Sequence, residues 1–238
     1  MNNYIIIPAR LSSQRLPGKL LLSNTGYPLI WHTIQRALEA NFVDKIIVAT
    51  ENIEIYQIVM KFNISRVSVI LTPIYSSGTE RVLYVVQTLK NPNIIINLQG
   101  DEPELSGKYV DNLINILNNT DCVVATLAAP ASFDEYNSNS VVKVVIDHNS
   151  NAMYFSRSGI PYGGNSLKHF GLYAYKLEFF SLLPQFPACT YKSELLEQLQ
   201  WLQAGIKIHV IIDDNIKSIG IDVKEEYDNF VQRWLDNN

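Results

Sequence analysis

The stretch Tyr4-Ile-Ile-Ile-Pro8-Ala-Arg10-Leu-Ser-Ser-Gln-Arg15-Leu-Pro-Gly-Lys19 decides the fold. Its first half is a continuous apolar run, β-branched and closed by Pro8. Such a run, without polar alternation, is the mark of a strand buried on both faces of a parallel sheet. Its second half holds three cations within one apparent loop. Pro17-Gly18 and Asn24-Thr25-Gly26 are turn signals, so residues 9–26 read as a long loop leaving that strand. Residues 1–38 carry Arg10, Arg15, Lys19 and Arg36 with no Asp or Glu, in a chain of formal net charge −4. This is either a solvated basic surface or an anion site, and its position after the first strand favours the anion site.

The same grammar repeats downstream. Pro28 opens a predicted helix with Leu29, Ile30, Ile34, Ala37 and Leu38 on one face. Strands are predicted at Lys45–Thr50, Val67–Leu71 and Asn93–Leu98, with helices at about 53–62 and from Ser77 or Thr79 to about Leu89. Alternating strands and helices mean βαβ units and a parallel sheet. Ligands of such sheets bind beyond the carboxyl ends of the strands, so the loops at 8–19, 71–79 and 99–104 are expected on one rim. The second half is more mixed. A helix at about 106–118 is followed by strands at Cys122–Ala128, Val141–Ile146, Ala152–Phe155 and His169–Tyr175. A helix over Glu194–Ala204 is expected to turn Leu195, Leu196, Leu199 and Leu202 inward, with Gly205 as its stop. Strands at Lys207–Ile212 and Lys217–Ile221 and a helix at 224–236 complete the chain. The expected fold class is α/β: a three-layer, Rossmann-like fold with a mostly parallel sheet. One domain over residues 1–238 is expected, with an embedded lobe of mixed strands at about 130–190.

Composition bounds the function. At 238 residues, 47% hydrophobic and 18% charged, the chain is neither disordered nor low-complexity. No apolar run approaches the ~20 residues of a membrane helix, and the start lacks a basic n-region. Cys122 and Cys189 make no disulfide framework and show no zinc spacing. The expectation is a cytoplasmic protein without membrane insertion, and its mild acidity argues against nucleic acid as a partner.

The loop after the first strand has neither the Walker pattern nor the GxGxxG fingerprint. It offers what a triphosphate needs by another route: hydroxyls of Ser12 and Ser13, backbone amides at the turns, and the charges of Arg10, Arg15 and Lys19. Gln99-Gly-Asp101-Glu-Pro103 places a carboxylate at the end of an apolar strand, where it suits Mg²⁺ or caps a turn. Ile219-Gly-Ile-Asp222 repeats the pattern, with Asp222 a second metal ligand or an ordinary helix cap. Ser77-Gly-Thr-Glu-Arg81 puts hydroxyls and amides at a helix N-terminus, as an anion site or as plain capping. Arg157, His169 and the tyrosines 162, 173 and 175 are each compatible with a structural role.

Together these segments resemble the 3-deoxy-manno-octulosonate (Kdo) cytidylyltransferase, or CMP-Kdo synthetase, family. Ile6-Ile-Pro-Ala-Arg10 with Arg15-Leu-Pro-Gly-Lys19, Gln99-Gly-Asp-Glu-Pro103, Tyr154-Phe-Ser-Arg157, His169-Phe-Gly-Leu-Tyr173, Leu196-Glu-Gln-Leu199 and Gly220-Ile-Asp222 carry the resemblance, in order along nearly the whole chain. The resemblance implies a nucleotidyltransferase that uses CTP, a Kdo-type sugar acid and Mg²⁺, with a homodimer as its assembly. It implies catalytic roles for Arg10, Arg15, Lys19 and Asp101, and a nucleotide site of Pro8, Ala9, Arg10, Ser12, Ser13, Arg15, Lys19, Ser77, Gly78 and Arg81. Gln99, Arg157, His169, Glu197 and Gln198 would hold the sugar acid, and Asp101 and Asp222 the metal. Only Tyr162–Lys168 separates Ile160-Pro161 from His169, where the family usually has a longer segment. An 8-amino form of the sugar or a nine-carbon acid is therefore the alternative acceptor. A nucleotide-binding protein without turnover is the alternative of another class.

Overall fold

A computed structural model of the chain describes residues 2–13, 15–75, 77–186, 192–216 and 218–237. The chain forms two compact units, one of residues 1–111 with 217–238, the other of residues 112–216. The stretch 130–190 lies inside the second.

The first unit alternates β1 (Tyr4–Ala9), α1 (Leu29–Leu38), β2 (Lys45–Thr50), α2 (Ile53–Lys61), β3 (Val67–Leu71), α3 (Gly78–Val86) and β4 (Ile94–Asn97). Its four strands are parallel, in the order β3-β2-β1-β4. Ile5, Ile6 and Ile7 have no exposed surface, as a central strand covered on both faces requires. Pro8 lacks a backbone donor, yet it sits in this central strand because β4, paired as far as Ile6 with Asn97, has already ended there. Thr33 on α1 donates to the carbonyl of Gly100 at 2.8 Å, tying the helix to the loop after β4. A side chain at Gly100 would press on the Pro8 carbonyl and Leu20, at 3.3 Å each. A larger residue would fit only if these neighbours gave by a few tenths of an ångström.

A fourth helix, α4 (Gly107–Asn119), leads into the second unit: β5 (Val124–Pro130), α5 (Phe133–Asn137), β6 (Lys143–Ile146), β7 (Ala152–Ser156), β8 (Leu167–Lys176), α6 (Leu177–Leu182), α7 (Gln198–Gln203) and β9 (Ile208–Ile212). Strand β5 runs parallel to β9 and antiparallel to β8, and β6 runs antiparallel to both β7 and β8. Tyr175, Phe179 and Trp201 form a fully buried aromatic core here. The last helix, α8 (Lys224–Asp236), belongs to the first unit and buries Tyr227 and Phe230. The fold is α/β, mostly parallel with some antiparallel strands.

Two expectations fail. The helix predicted from Glu194 starts only at Gln198, and Leu195 lies at φ 53° with 82% of its surface exposed. Its leucine spacing is helical, but Glu194 is drawn into bonds with Ser156 and Arg157 that a helix at that point does not make. The strand predicted at Lys217–Ile221 does not form over 218–221. Ser218 instead donates to Glu102 at 2.8 Å, and the Ile221 amide donates to the Asp101 carbonyl at 2.9 Å. Two short helices, α5 and α6, carry too weak an apolar period to be foreseen. Cys189 and Lys217 lie outside the described residues.

Candidate active site

The carboxyl ends of β1 and β4 and the N-terminus of α3 open on a cleft of about 580 Å³ in the first unit. Every site residue predicted in this unit lines it: Pro8, Ala9, Arg10, Ser12, Ser13, Arg15, Lys19, Ser77, Gly78, Arg81, Gln99, Asp101 and Asp222. The three loops do share one rim. Tyr75, in the loop after β3, lines the cleft too, and nothing in the sequence marked it out beyond that loop position.

Local folding explains the placement. The loop after β1 turns back on itself through bonds from Ser13 N and Gly18 N to the Leu11 carbonyl, at 3.0 and 3.4 Å. Gly18 adopts φ 68°, a left-handed conformation that glycine takes without strain, and launches the 3₁₀ turn that starts at Lys19. Ser77 caps α3, its hydroxyl accepting from the Glu80 amide while Glu80 returns a bond to the Ser77 amide. Asp222 is not a cap, because the Glu226 carboxylate takes the amides of Asp222 and Val223 at 2.6 and 3.0 Å. That leaves the Asp222 side chain for the cleft.

Lys19 is the hub. Its buried ammonium donates to Asp101, to Asp222 at 2.9 Å and to the Ile221 carbonyl at 2.8 Å. Burial works against its charge, but the attraction of Asp101 and then Asp222 outweighs it and holds the Lys19 pKa above its ordinary value. Burial likewise opposes the Asp222 charge. Lys19 and Arg15, whose Nη2 lies 2.7 Å from the carboxylate, keep its pKa below the usual carboxylate range. Arg81 is buried in an ion pair with Glu51 and donates to the Ala9 carbonyl at 3.0 Å, so it braces the loop after β1. Arg10 is exposed and engages no acceptor among the described residues. Four cations against two carboxylates leave the lining net positive, which suits a polyanion.

Asp101 and Asp222 converge on one cationic centre, and no third acidic, His or Cys group joins them among the described residues. Two carboxylates are the donor set for Mg²⁺ completed by phosphate oxygens and water, not for an all-protein metal cage.

The other predicted residues, Arg157, His169, Glu197 and Gln198, belong to the second unit. The Thr126 hydroxyl lies 2.8 Å from the Leu172 carbonyl, 3.2 Å from the Phe170 carbonyl and 3.0 Å from His169 Nε2. Burial brings the His169 pKa down to about 3, so the ring is neutral. His169 packs edge-on against Phe155 and beside Tyr173. The buried Tyr173 hydroxyl finds no hydrogen-bond partner among the described residues. Tyr173 is buried and packs on Tyr175 and Trp201, in keeping with its reading as a core or rim aromatic. Glu197 is exposed at the start of α7, and Gln198 beside it is buried.

A parallel α/β unit with a cationic cradle after its first strand and paired rim carboxylates defines a nucleotidyltransferase. The comparisons are more particular. The cytidylyltransferase family profile matches residues 4–208. The 3-deoxy-manno-octulosonate cytidylyltransferase of Blochmanniella floridana is 39% identical, over 94% of this chain and 95% of that protein. That of Anaeromyxobacter sp. (strain Fw109-5) is 38% identical over 94% and 93%. A solved CMP:2-keto-3-deoxy-manno-octonic acid synthetase complexed with CTP superposes with a TM-score of 0.93 at 34% identity, covering all of both chains. The chain belongs to the 3-deoxy-manno-octulosonate cytidylyltransferase family and is a cytidylyltransferase.

Proposed function

We propose that this chain transfers CMP from CTP to the anomeric hydroxyl of Kdo, releasing pyrophosphate. The hydroxyl oxygen forms the new bond to the α-phosphorus, the bond to the pyrophosphate oxygen breaks, and the hydroxyl proton passes to solvent. The observation that carries this reading is the Lys19–Asp101–Asp222 cluster at the floor of a net-positive cleft, in a chain whose relatives are named for this reaction. Such a displacement needs in-line positioning and charge neutralisation more than covalent catalysis.

Arg10 and Arg15 would hold the phosphates, and Lys19 would exchange carboxylate partners for phosphate oxygens. Asp101 and Asp222 would hold Mg²⁺, which supplies charge neutralisation and acidifies an oxygen bound to it. Ser12, Ser13, Ser77 and Gly78 frame the nucleotide, and Gln99 presents its amide to the acceptor. On the second unit Arg157 would pair with the acid's carboxylate. His169, Glu197 and Gln198 would take its hydroxyls. No helix among the described residues is long and apolar enough to cross a membrane. A homodimer in the cytoplasm, feeding an outer-membrane glycolipid or a capsule, completes the proposal.

The test is pyrophosphate release with Mg²⁺, each nucleoside triphosphate in turn, and Kdo. Release confined to CTP with Kdo is the expected result. CTP binding without release would transfer the assignment to 8-amino-Kdo or a nine-carbon acid, which the short Tyr162–Lys168 segment also accommodates. Failure to bind CTP would refute the nucleotide site.

A further inference from the structure

We propose that Lys143 and Glu194 are positioning residues that present the Arg157 guanidinium, with its charge uncompensated, to an anionic group of the acceptor. This rests on the sugar-acid reading above and deepens it.

Lys143 sits on β6, inside the apolar run Val141-Val-Lys-Val-Val-Ile146, and has no exposed surface. A buried ammonium is costly unless every proton finds an acceptor. Here all three do. Nζ donates to the carbonyls of Ser138 at 2.8 Å and Val141 at 2.7 Å, and to that of Arg157. The tripod pins the loop before β6 to the turn after β7.

Glu194 completes the cradle from the other side. Its carboxylate accepts from the Ser156 hydroxyl at 2.6 Å and the Arg157 amide at 2.8 Å. Both backbone groups of Arg157 are thus fixed by buried or half-buried charges. Among the described residues its guanidinium is steered by neutral acceptors. Nε donates to the Glu194 carbonyl at 3.2 Å and Nη1 to the Asn139 carbonyl at 3.3 Å, the latter from the loop that Lys143 pins.

The chemistry of this choice is specific. Among the described residues no carboxylate bonds the guanidinium and Nη2 donates to none of them. The nearby carboxylate is spent on main-chain and hydroxyl donors. A residue that must bind a carboxylate bidentately gains its full charge in a fixed orientation.

Glu194→Gln and Lys143→Met test the assignment in the full chain. Two readouts are needed, steady-state kinetics with Mg²⁺, CTP and Kdo, and the Nε–Hε resonance of Arg157 in ¹⁵N NMR. Each variant is expected to raise KM for Kdo at least tenfold, with CTP affinity unchanged and protection of the Arg157 Hε lost. In an Arg157→Ala background the same changes should add little further loss in kcat/KM, because they act through Arg157. An unchanged KM with Hε still protected overturns the proposal. So does a fall in CTP affinity and Tm equal to the loss for Kdo, which marks a purely structural role. If Lys143→Met does not fold, Glu194→Gln, which removes one acceptor and no volume, decides alone. If the wild-type chain releases no pyrophosphate with Kdo, the acceptor reading fails on its own, and the Arg157 resonance still reports whether these two residues hold the guanidinium.

Discussion

The cleft of the first unit and the cradle of the second both gather positive charge, but they hold it differently. In the cleft, Lys19, Arg15 and Arg81 are paired to carboxylates, two of them on loops at the rim. In the cradle, Arg157 is held by backbone carbonyls that carry no net charge. A cation resting on a carboxylate must change partners when a polyanion arrives. A cation resting on carbonyls is already in its bound state. The first arrangement suits a ligand that brings its own metal and four negative charges. The second suits a single carboxylate, whose recognition depends on direction more than on total charge.

This contrast is broken most severely at Asp101. Asp101→Asn keeps the shape and removes a charge that Lys19 and the proposed metal share. We expect kcat to fall by ~10²–10³-fold, the scale of losing one aimed electrostatic group, with CTP still bound. A variant that keeps its turnover would leave Asp101 as a mere partner of Lys19. Arg157→Ala comes next. Charge-assisted bonds of ~1.5–3 kcal/mol predict a rise of about 10- to 150-fold in KM for Kdo, while KM for CTP holds. An equal rise in both would erase the division of labour between the two sites.

Lys19 sharpens the comparison without any turnover. Its ammonium occupies the centre on which Asp101 and Asp222 converge. Lys19→Met keeps the apolar stem and removes the resident cation. The nucleotide-free variant should bind Mn²⁺ about tenfold more tightly than the wild type, a difference of ~1.4 kcal/mol, as read by titration calorimetry or Mn²⁺ spin resonance. Weaker or unchanged affinity would mean that the two carboxylates are Lys19's partners and nothing more.

The two sites also differ in how far the sequence disclosed them. The cleft was legible because each of its loops follows an unmistakable buried strand, and the topology of parallel sheets then brings those loops together. The cradle was not. Arg157 was visible, but what orients it comes from residues far away in the chain, and Glu194 ends a short 3₁₀ turn instead of starting the α-helix, which begins only at Gln198. The leucine period at 195, 196, 199 and 202 is real, yet tertiary bonds at Glu194 override it. One signal stood unread: a lone lysine within Val-Val-Lys-Val-Val-Ile is a charge in a buried strand, which must be paid in hydrogen bonds. Ser132-Phe-Asp-Glu135 was another, since its reciprocal capping bonds start α5 even though Phe133 remains exposed.

Each unit holds a neutral imidazole, buried at His32 and half-buried at His169, and this yields the mildest prediction. His32 on α1 shares a hydrogen bond of 2.7 Å between its Nε2 and the Thr25 hydroxyl. Its ring packs against Trp31, Phe230 and Trp234. Burial, reinforced by the charge of Arg36, lowers its pKa to about 4, against about 3 for His169. Both folded values lie below the unfolded value near 6.5. As pH falls below 6.5 the unfolded chain takes up protons that the folded chain refuses, so stability is lost, fully developing only near pH 4 for His32 and pH 3 for His169. Each histidine contributes a slope of up to ~1.4 kcal/mol per pH unit. His32→Gln cannot titrate. Its urea-unfolding stability, followed by tryptophan fluorescence from pH 7 to 5, should start lower than that of the wild type and decline less steeply by about that amount per unit below pH 6. Parallel slopes for the two proteins would mean that the His32 ring reaches water and charges freely. The aromatic packing between α1 and α8 would then be looser than the ring contacts require.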